Sequence, residues 1–143
     1  MATFPERLTE LIAEKEIKSH ELADVIGVNI TTINDWKRGK YQVHLTNAIK
    51  LADFFACSLE YLMGRIEHDV KDFKPRACPP FYSQFLAVLK QRDCTTYRLR
   101  KDTSISGGHF DSWKTGNDPL VITLITIAEY LDITLDFLVG REY

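Results

Sequence analysis

A repeat at a fixed offset constrains this chain more than any other feature, because each copy must bury its own core with the same pattern. Phe4 placed over Phe81, an offset of 77, sets Leu8 on Phe85, Ile12 on Leu89, Leu22 on Leu99 and Val28 on Ile105. The same offset sets Ile33 on Phe110, Trp36 on Trp113 and Gly39 on Gly116. Past that glycine the offset falls to 76, so the second copy lacks one loop residue. Leu51 then meets Ile127, Ala52 meets Ala128, Leu59 meets Leu135, and Gly64-Arg65 meets Gly140-Arg141. Cys57 falls on Ile133 and Cys94 on Ile17, and a position that takes either Cys or Ile is expected to be an inert core site. Residues 66–80 hold Pro75, Pro79 and Pro80 with mixed charges and read as a linker. The expected division is 1–65, linker 66–80, and 81–143.

Each copy reads as five short helices. In the first, Phe4, Leu8, Leu11 and Ile12 recur at helical spacing. Ser19 is expected to cap a second helix that Gly27 stops, and Asn29 a third that ends at Gly39. Leu45 to Ala56 forms a fourth, and Ser58 caps a fifth before Gly64. In the second copy a helix over about Pro80 to Arg92 is followed by helices capped by Thr96 and Ser106, one opened by Pro119, and one capped by Thr134 and ended by Gly140. No useful strand alternation occurs, so the fold class is all-α.

Composition excludes several classes. No apolar run approaches the ~20 residues of a membrane span, and no signal segment opens the chain, so a cytoplasmic protein is expected. Three scattered cysteines and four scattered histidines have no metal spacing, so no metal, cofactor or disulfide framework is expected. No phosphate loop follows a strand, and no nucleophile–base pairing suggests catalysis, so no catalytic residues are assigned.

The string Leu22-Ala23-Asp24-Val25-Ile26-Gly27-Val28, then Trp36-Lys37-Arg38-Gly39, then Leu51-Ala52 and Ser58-Leu59-Glu60-Tyr61-Leu62-Met63-Gly64 resembles the phage-repressor (Cro/repressor, xenobiotic-response-element, lambda-repressor-like) type of helix-turn-helix domain. The resemblance covers about Phe4 to Arg65 and returns over about Phe81 to Arg141, strongest from Ile127 to Leu138. It implies two tandem five-helix domains and a transcriptional regulator, of repressor or antitoxin type, that associates with the nucleoid. Its partner would be double-stranded DNA, bound as a homodimer or as an intramolecular pseudo-dimer. A ~15-residue linker spans up to ~50 Å when extended, more than the ~34 Å between successive major-groove faces.

In such a domain the second helix of the pair enters the major groove and the first crosses the backbone. Ile30, Thr31, Asn34 and Asp35 are then expected to face outward, because Ile33 and Trp36 face the core. Ile30 can touch a thymine methyl, Asn34 can pair with adenine, Asp35 can accept from cytosine, and Thr31 can do either kind of contact. Thr32 is a further candidate, and Asn29 is a candidate both as cap and as reader. Lys37, Arg38 and Lys40 suit phosphates, as does Ser19 at the start of the first helix of the pair. Asp35 can instead pair with Arg38 one turn on.

The second copy departs from this pattern. Its reading helix opens Ser106-Gly107-Gly108-His109, all four candidate DNA contacts, where two glycines offer no side chain to a base but could let the backbone approach DNA closely. His109, Asp111, Ser112, Lys114, Thr96 and Arg98 remain as candidate contacts. Arg100 stands in place of Ala23, and Ser104 in place of Gly27. The chain carries a net charge of −2, and residues 1–65 carry 8 Lys/Arg against 9 Asp/Glu. That balance and the glycine pair leave open an alternative: an interaction or dimerisation module that kept the fold and lost DNA, above all in the second copy.

Overall fold

The computed structural model describes residues 2–142, which form ten helices and no strand. None of these helices is long and apolar enough to cross a membrane. Two compact units result, Met1–Phe73 and Lys74–Tyr143. The first holds α1 (Phe4–Lys15), α2 (Ser19–Ile26), α3 (Ile30–Arg38), α4 (Leu45–Phe54) and α5 (Leu59–Leu62). The second holds α6 (Phe81–Gln91), α7 (Thr96–Asp102), α8 (Gly107–Lys114), α9 (Val121–Leu131) and α10 (Leu135–Val139).

Each unit closes on the residues that the repeat pairs. In the first, Leu8, Leu22, Ile33, Leu51, Leu59 and Leu62 are fully buried, and Trp36 meets Phe4 edge-on at 6.4 Å. In the second, Phe85, Leu99, Leu124, Ile127 and Leu135 are fully buried. Phe85 and Phe110 stack at 5.7 Å, and Trp113 stands edge-on to both at 5.4 Å. Each such side chain contributes about 2 kcal/mol on burial, which is how so small a unit offsets its ordering entropy.

The repeat also holds in the backbone. Left-handed residues end corresponding helices: Glu16 and Asp93 (φ 55 and 54), Gly39 and Gly116 (73 and 99), Ala56 and Asp132 (53 and 55), Gly64 and Gly140 (75 and 83). After each the chain folds back so that the next amide bonds the carbonyl five residues earlier, as in Ile17 N–H to Ile12 O (3.3 Å) and Cys94 N–H to Leu89 O (2.9 Å). Cys57 to Ala52 (2.9 Å) and Ile133 to Ala128 (3.0 Å) repeat it. Here lies the reason for the Cys/Ile exchange: these residues follow a left-handed stop and turn inward against the helix just ended. Cys57 is buried, but Cys94 is only half-buried, like its counterpart Ile17. The expectation of a closed core site at Cys94 is thus corrected. Partial burial still pushes the Cys94 thiol up, so little thiolate forms at neutral pH.

Gly64 and Gly140 are sterically required. A Cβ on Gly64 would fall 2.0 Å from the Ala2 carbonyl oxygen, and one on Gly140 would fall 2.7 Å from Pro79 Cδ. Beside each glycine sits an acid–arginine pair: Glu60 with Arg65 at 2.9 Å and Asp136 with Arg141 at 3.0 Å. The second pair is almost sealed, both side chains being 1% exposed. A side chain on the first helix of each unit then donates to a carbonyl of the last. Arg7 Nη1 reaches Tyr61 O (3.1 Å), and Gln84 Nε2 reaches Phe137 O (3.3 Å).

Several expected helix starts shift by a residue or two. Ser19 is the first residue of α2 rather than its cap; Lys18 holds the cap position, and its amide donates to Glu21 Oε1 at 3.1 Å. Thr95, not Thr96, caps α7, its hydroxyl accepting from Arg98 N–H at 3.1 Å. Asn29 and Ser106 occupy cap positions without side-chain capping bonds. Pro119 precedes α9, whose cap position is Leu120. Ser58 and Thr134 do cap α5 and α10. The stretch 66–80 is tied down at both ends: Ser58 Oγ donates to Asp69 at 2.6 Å, and Arg76 N–H donates to Arg141 O at 2.9 Å.

Candidate nucleic-acid interface

In the first unit the turn between α2 and α3 rests on Gly27 (φ 87), whose N–H bonds Ala23 O at 2.8 Å. Ile33 and Trp36 anchor one side of α3 in the core. Helical geometry then turns Thr31, Asn34 and Arg38 the other way, and Ile30 is the first residue of the helix. Ile30 is 45% exposed, an unusual position for an isoleucine that has no core to fill. Thr31 is exposed, Thr32 and Asn34 are half-buried, and Asn29 is exposed at the helix start. Thr31, Asn34, Lys37 and Arg38 line one shallow cleft, so four of the residues expected at the interface converge.

The basic corner is organised by two contacts. Lys37 Nζ donates to Ser19 Oγ at 3.2 Å, tying the end of α3 to the start of α2. Arg38 Nη2 donates to Asp35 Oδ1 at 2.7 Å. The Asp35 side chain is 8% exposed, against 66% for Arg38. Asp35 is therefore corrected from an outward base reader, and of its two expected roles the pairing with Arg38 is the one present. A carboxylate buried to this degree would be costly without its arginine. Lys40 is exposed past Gly39, its ammonium 5.5 Å from the ring of Tyr41. Tyr41 is itself largely exposed, an aromatic at the interface edge that periodicity could not have singled out.

The second unit builds the corresponding surface differently. In place of the glycine stop, α7 ends at Thr103 in extended conformation (φ −123, ψ 171). The Thr103 hydroxyl donates to Leu99 O and accepts from Ile105 N–H, the latter at 3.3 Å. Phe110 and Trp113 hold α8 to the core. Ser106 Oγ lies 3.0 Å from His109 Nδ1, and Ser112 Oγ accepts from Asn117 Nδ2 at 2.9 Å. Arg98 leans on Asp102 at 3.8 Å, and Thr96 is half-buried. Gly108, His109 and Lys114 are exposed, and Gly107 is half-buried. Of the candidates here, Ser106, Ser112 and Arg98 already have local partners. Among the described residues no group of three or more His, Cys, Asp or Glu is placed to hold a metal ion.

In comparison with known proteins, a family model described as helix-turn-helix matches residues 8–62, within the first unit. No curated protein matches the chain. A crystal structure titled as a transcriptional regulator from Listeria innocua is similar at 19% identity and a TM-score of 0.43, over 90% of this chain and 94% of that one.

Proposed function

We propose that this chain, whose first unit carries a helix-turn-helix domain, is a sequence-specific double-stranded DNA-binding transcriptional regulator that acts by occupying a promoter, as a repressor does. The observation that carries the reading is the outward face of α3. Ile30, Thr31 and Asn34 stand there beside Lys37, Arg38 and Lys40, while Ile33 and Trp36 fix the helix from behind. An apolar group, a hydroxyl and an amide in one helical row can read a thymine methyl and base-edge donors and acceptors. The cations at the helix exit meet phosphates and set register without reading sequence. Four of the acidic residues behind the net charge of −2, Glu6, Glu10, Glu14 and Glu16, belong to α1 or its end rather than to this corner.

The proposal extends to residues 81–143 as a second, divergent copy. Its support is the shared set of left-handed stops and the acid–arginine pair beside each terminal glycine. The bare start of α8 favours a supporting part for this copy rather than a second sequence reader.

A salt titration of the full chain on random duplex DNA tests the reading. Affinity should fall steeply with salt, with a slope near −0.9 for each phosphate contacted. Absence of binding at low salt would refute it and favour an interaction module.

A further inference from the structure

The two units exchange volume across the helix-turn-helix crossing. In the first, the buried position on α2 is Ala23 and the opening residue of α3 is the large, exposed Ile30. In the second, the counterpart of Ala23 is Arg100, and the counterpart of Ile30 is Gly107. The exchange is physical as well as positional. A Cβ on Gly107 would stand 3.0 Å from both Cζ and Nε of Arg100, so the guanidinium lies against the bare Cα of the opening residue. A Cβ at Gly107 would oblige the exposed Arg100 guanidinium to shift by a few tenths of an ångström, whereas at Gly108 it would meet nothing but Ser106 Oγ at 3.7 Å.

The charge around this seat is one-sided. Arg100 and Lys101 are exposed and have no ion-pair partner among the described residues. The nearby acid on the same helix, Asp102, is occupied by Arg98 at 3.8 Å and by the Tyr130 hydroxyl at 2.5 Å. Arg100, Lys101, Ser104 and Gly107 line an open cleft with the exposed ring of Tyr97 at its edge. Asp111 is exposed one turn further along α8 and disfavours deep approach of a phosphate there, which leaves the α7 side of the cleft as the cationic one.

We propose that Arg100, seated on Gly107, is the group through which the second unit meets DNA phosphate. This unit would then supply affinity without sequence preference where the first supplies an apolar base contact. The proposal rests on the DNA-binding reading above. A cation is delivered from the first helix of the pair to the place where the first unit presents a reading side chain, and a guanidinium suits a phosphate in two-point geometry.

The test uses full-length chain on duplexes of several unrelated sequences, comparing Arg100→Ala, Gly107→Ala and the double variant Lys37→Ala/Arg38→Ala. Arg100→Ala should lose about 3- to 10-fold in affinity equally on every sequence, and the salt slope should become shallower by about 0.9. Gly107→Ala should lose a smaller factor than Arg100→Ala, by shifting the guanidinium, with the fold retained in a thermal melt. Wild-type binding by Arg100→Ala or by Gly107→Ala overturns the proposal, as does a loss confined to particular sequences. If Lys37→Ala/Arg38→Ala alone weakens binding, the α3 reading stands and this one falls. If the wild-type chain binds no duplex, both fall.

Discussion

The α2–α3 pair and the α7–α8 pair occupy the same place in two similar units, yet they present different chemistry. The first offers Ile30, Thr31 and Asn34 on α3, behind an α2 stopped by a left-handed glycine; the second offers two glycines on α8 and an arginine on an α7 that ends on a threonine hydroxyl. Behind these surfaces the frames agree closely. The left-handed stops match, and so do the tie from the first helix to the last and the acid–arginine pair beside the terminal glycine. The lesson is that the frame of such a domain is specified by residues remote from the surface it displays. Interface residues can therefore change while the frame persists.

The frame comparison breaks most readily at its buried charges. Asp136→Ala leaves the sealed Arg141 guanidinium without that carboxylate and should cost about 3–5 kcal/mol in chemical denaturation. Glu60→Ala should cost clearly less, because the Arg65 side chain is 21% exposed and water replaces part of the lost partner. Equal costs at the two sites would show that burial does not separate them. The tryptophans sharpen the same comparison from the core side. Trp36→Ala and Trp113→Ala should each cost about 3–5 kcal/mol, Trp113 toward the upper end because three phenylalanine rings lie 5.4 Å from it.

Much of this frame was legible in the sequence, and the illegible part has identifiable causes. Apolar periodicity carries the helices, and glycine punctuation marks the ends at Gly27, Gly39, Gly64, Gly116 and Gly140, whereas the left-handed stops at Glu16, Ala56, Asp93 and Asp132 leave no such mark. Cap positions slipped at Ser19 and Thr96 because a hydroxyl looks the same at the cap and one residue inside it. At Lys18 the job is done by a backbone amide and the Glu21 side chain, and at Thr95 by the adjacent threonine. Asp35 was misplaced for a different reason. The pairing with Arg38 a turn away was legible from spacing, but only three-dimensional packing reveals that the carboxylate faces inward and the arginine outward. Arg100 was visible as a basic residue, but its seat on Gly107 needs two helices brought together.

Smaller effects follow from the corrected caps. Thr95→Ala and Ser58→Ala should each lower stability by about 1 kcal/mol, whereas Thr96→Ala and Ser19→Ala should change it by less than about 0.5 kcal/mol. Thermal melts of the four variants check this, and a larger loss at Thr96 than at Thr95 would restore the cap position read from sequence. Ser19→Ala should instead show a modest, sequence-independent loss in DNA affinity, because it frees Lys37 from its tether.

Enrichment of bound sequences from a random duplex pool addresses the α3 face most directly, run in parallel with wild-type chain and with Thr31→Ala/Asn34→Ala. The wild-type chain should enrich a defined motif, and the double variant should still retain duplexes at low salt while losing base preference within that motif. The same motif recovered at the same strength from both proteins, or no motif from either, would contradict the assignment of base reading to this helix.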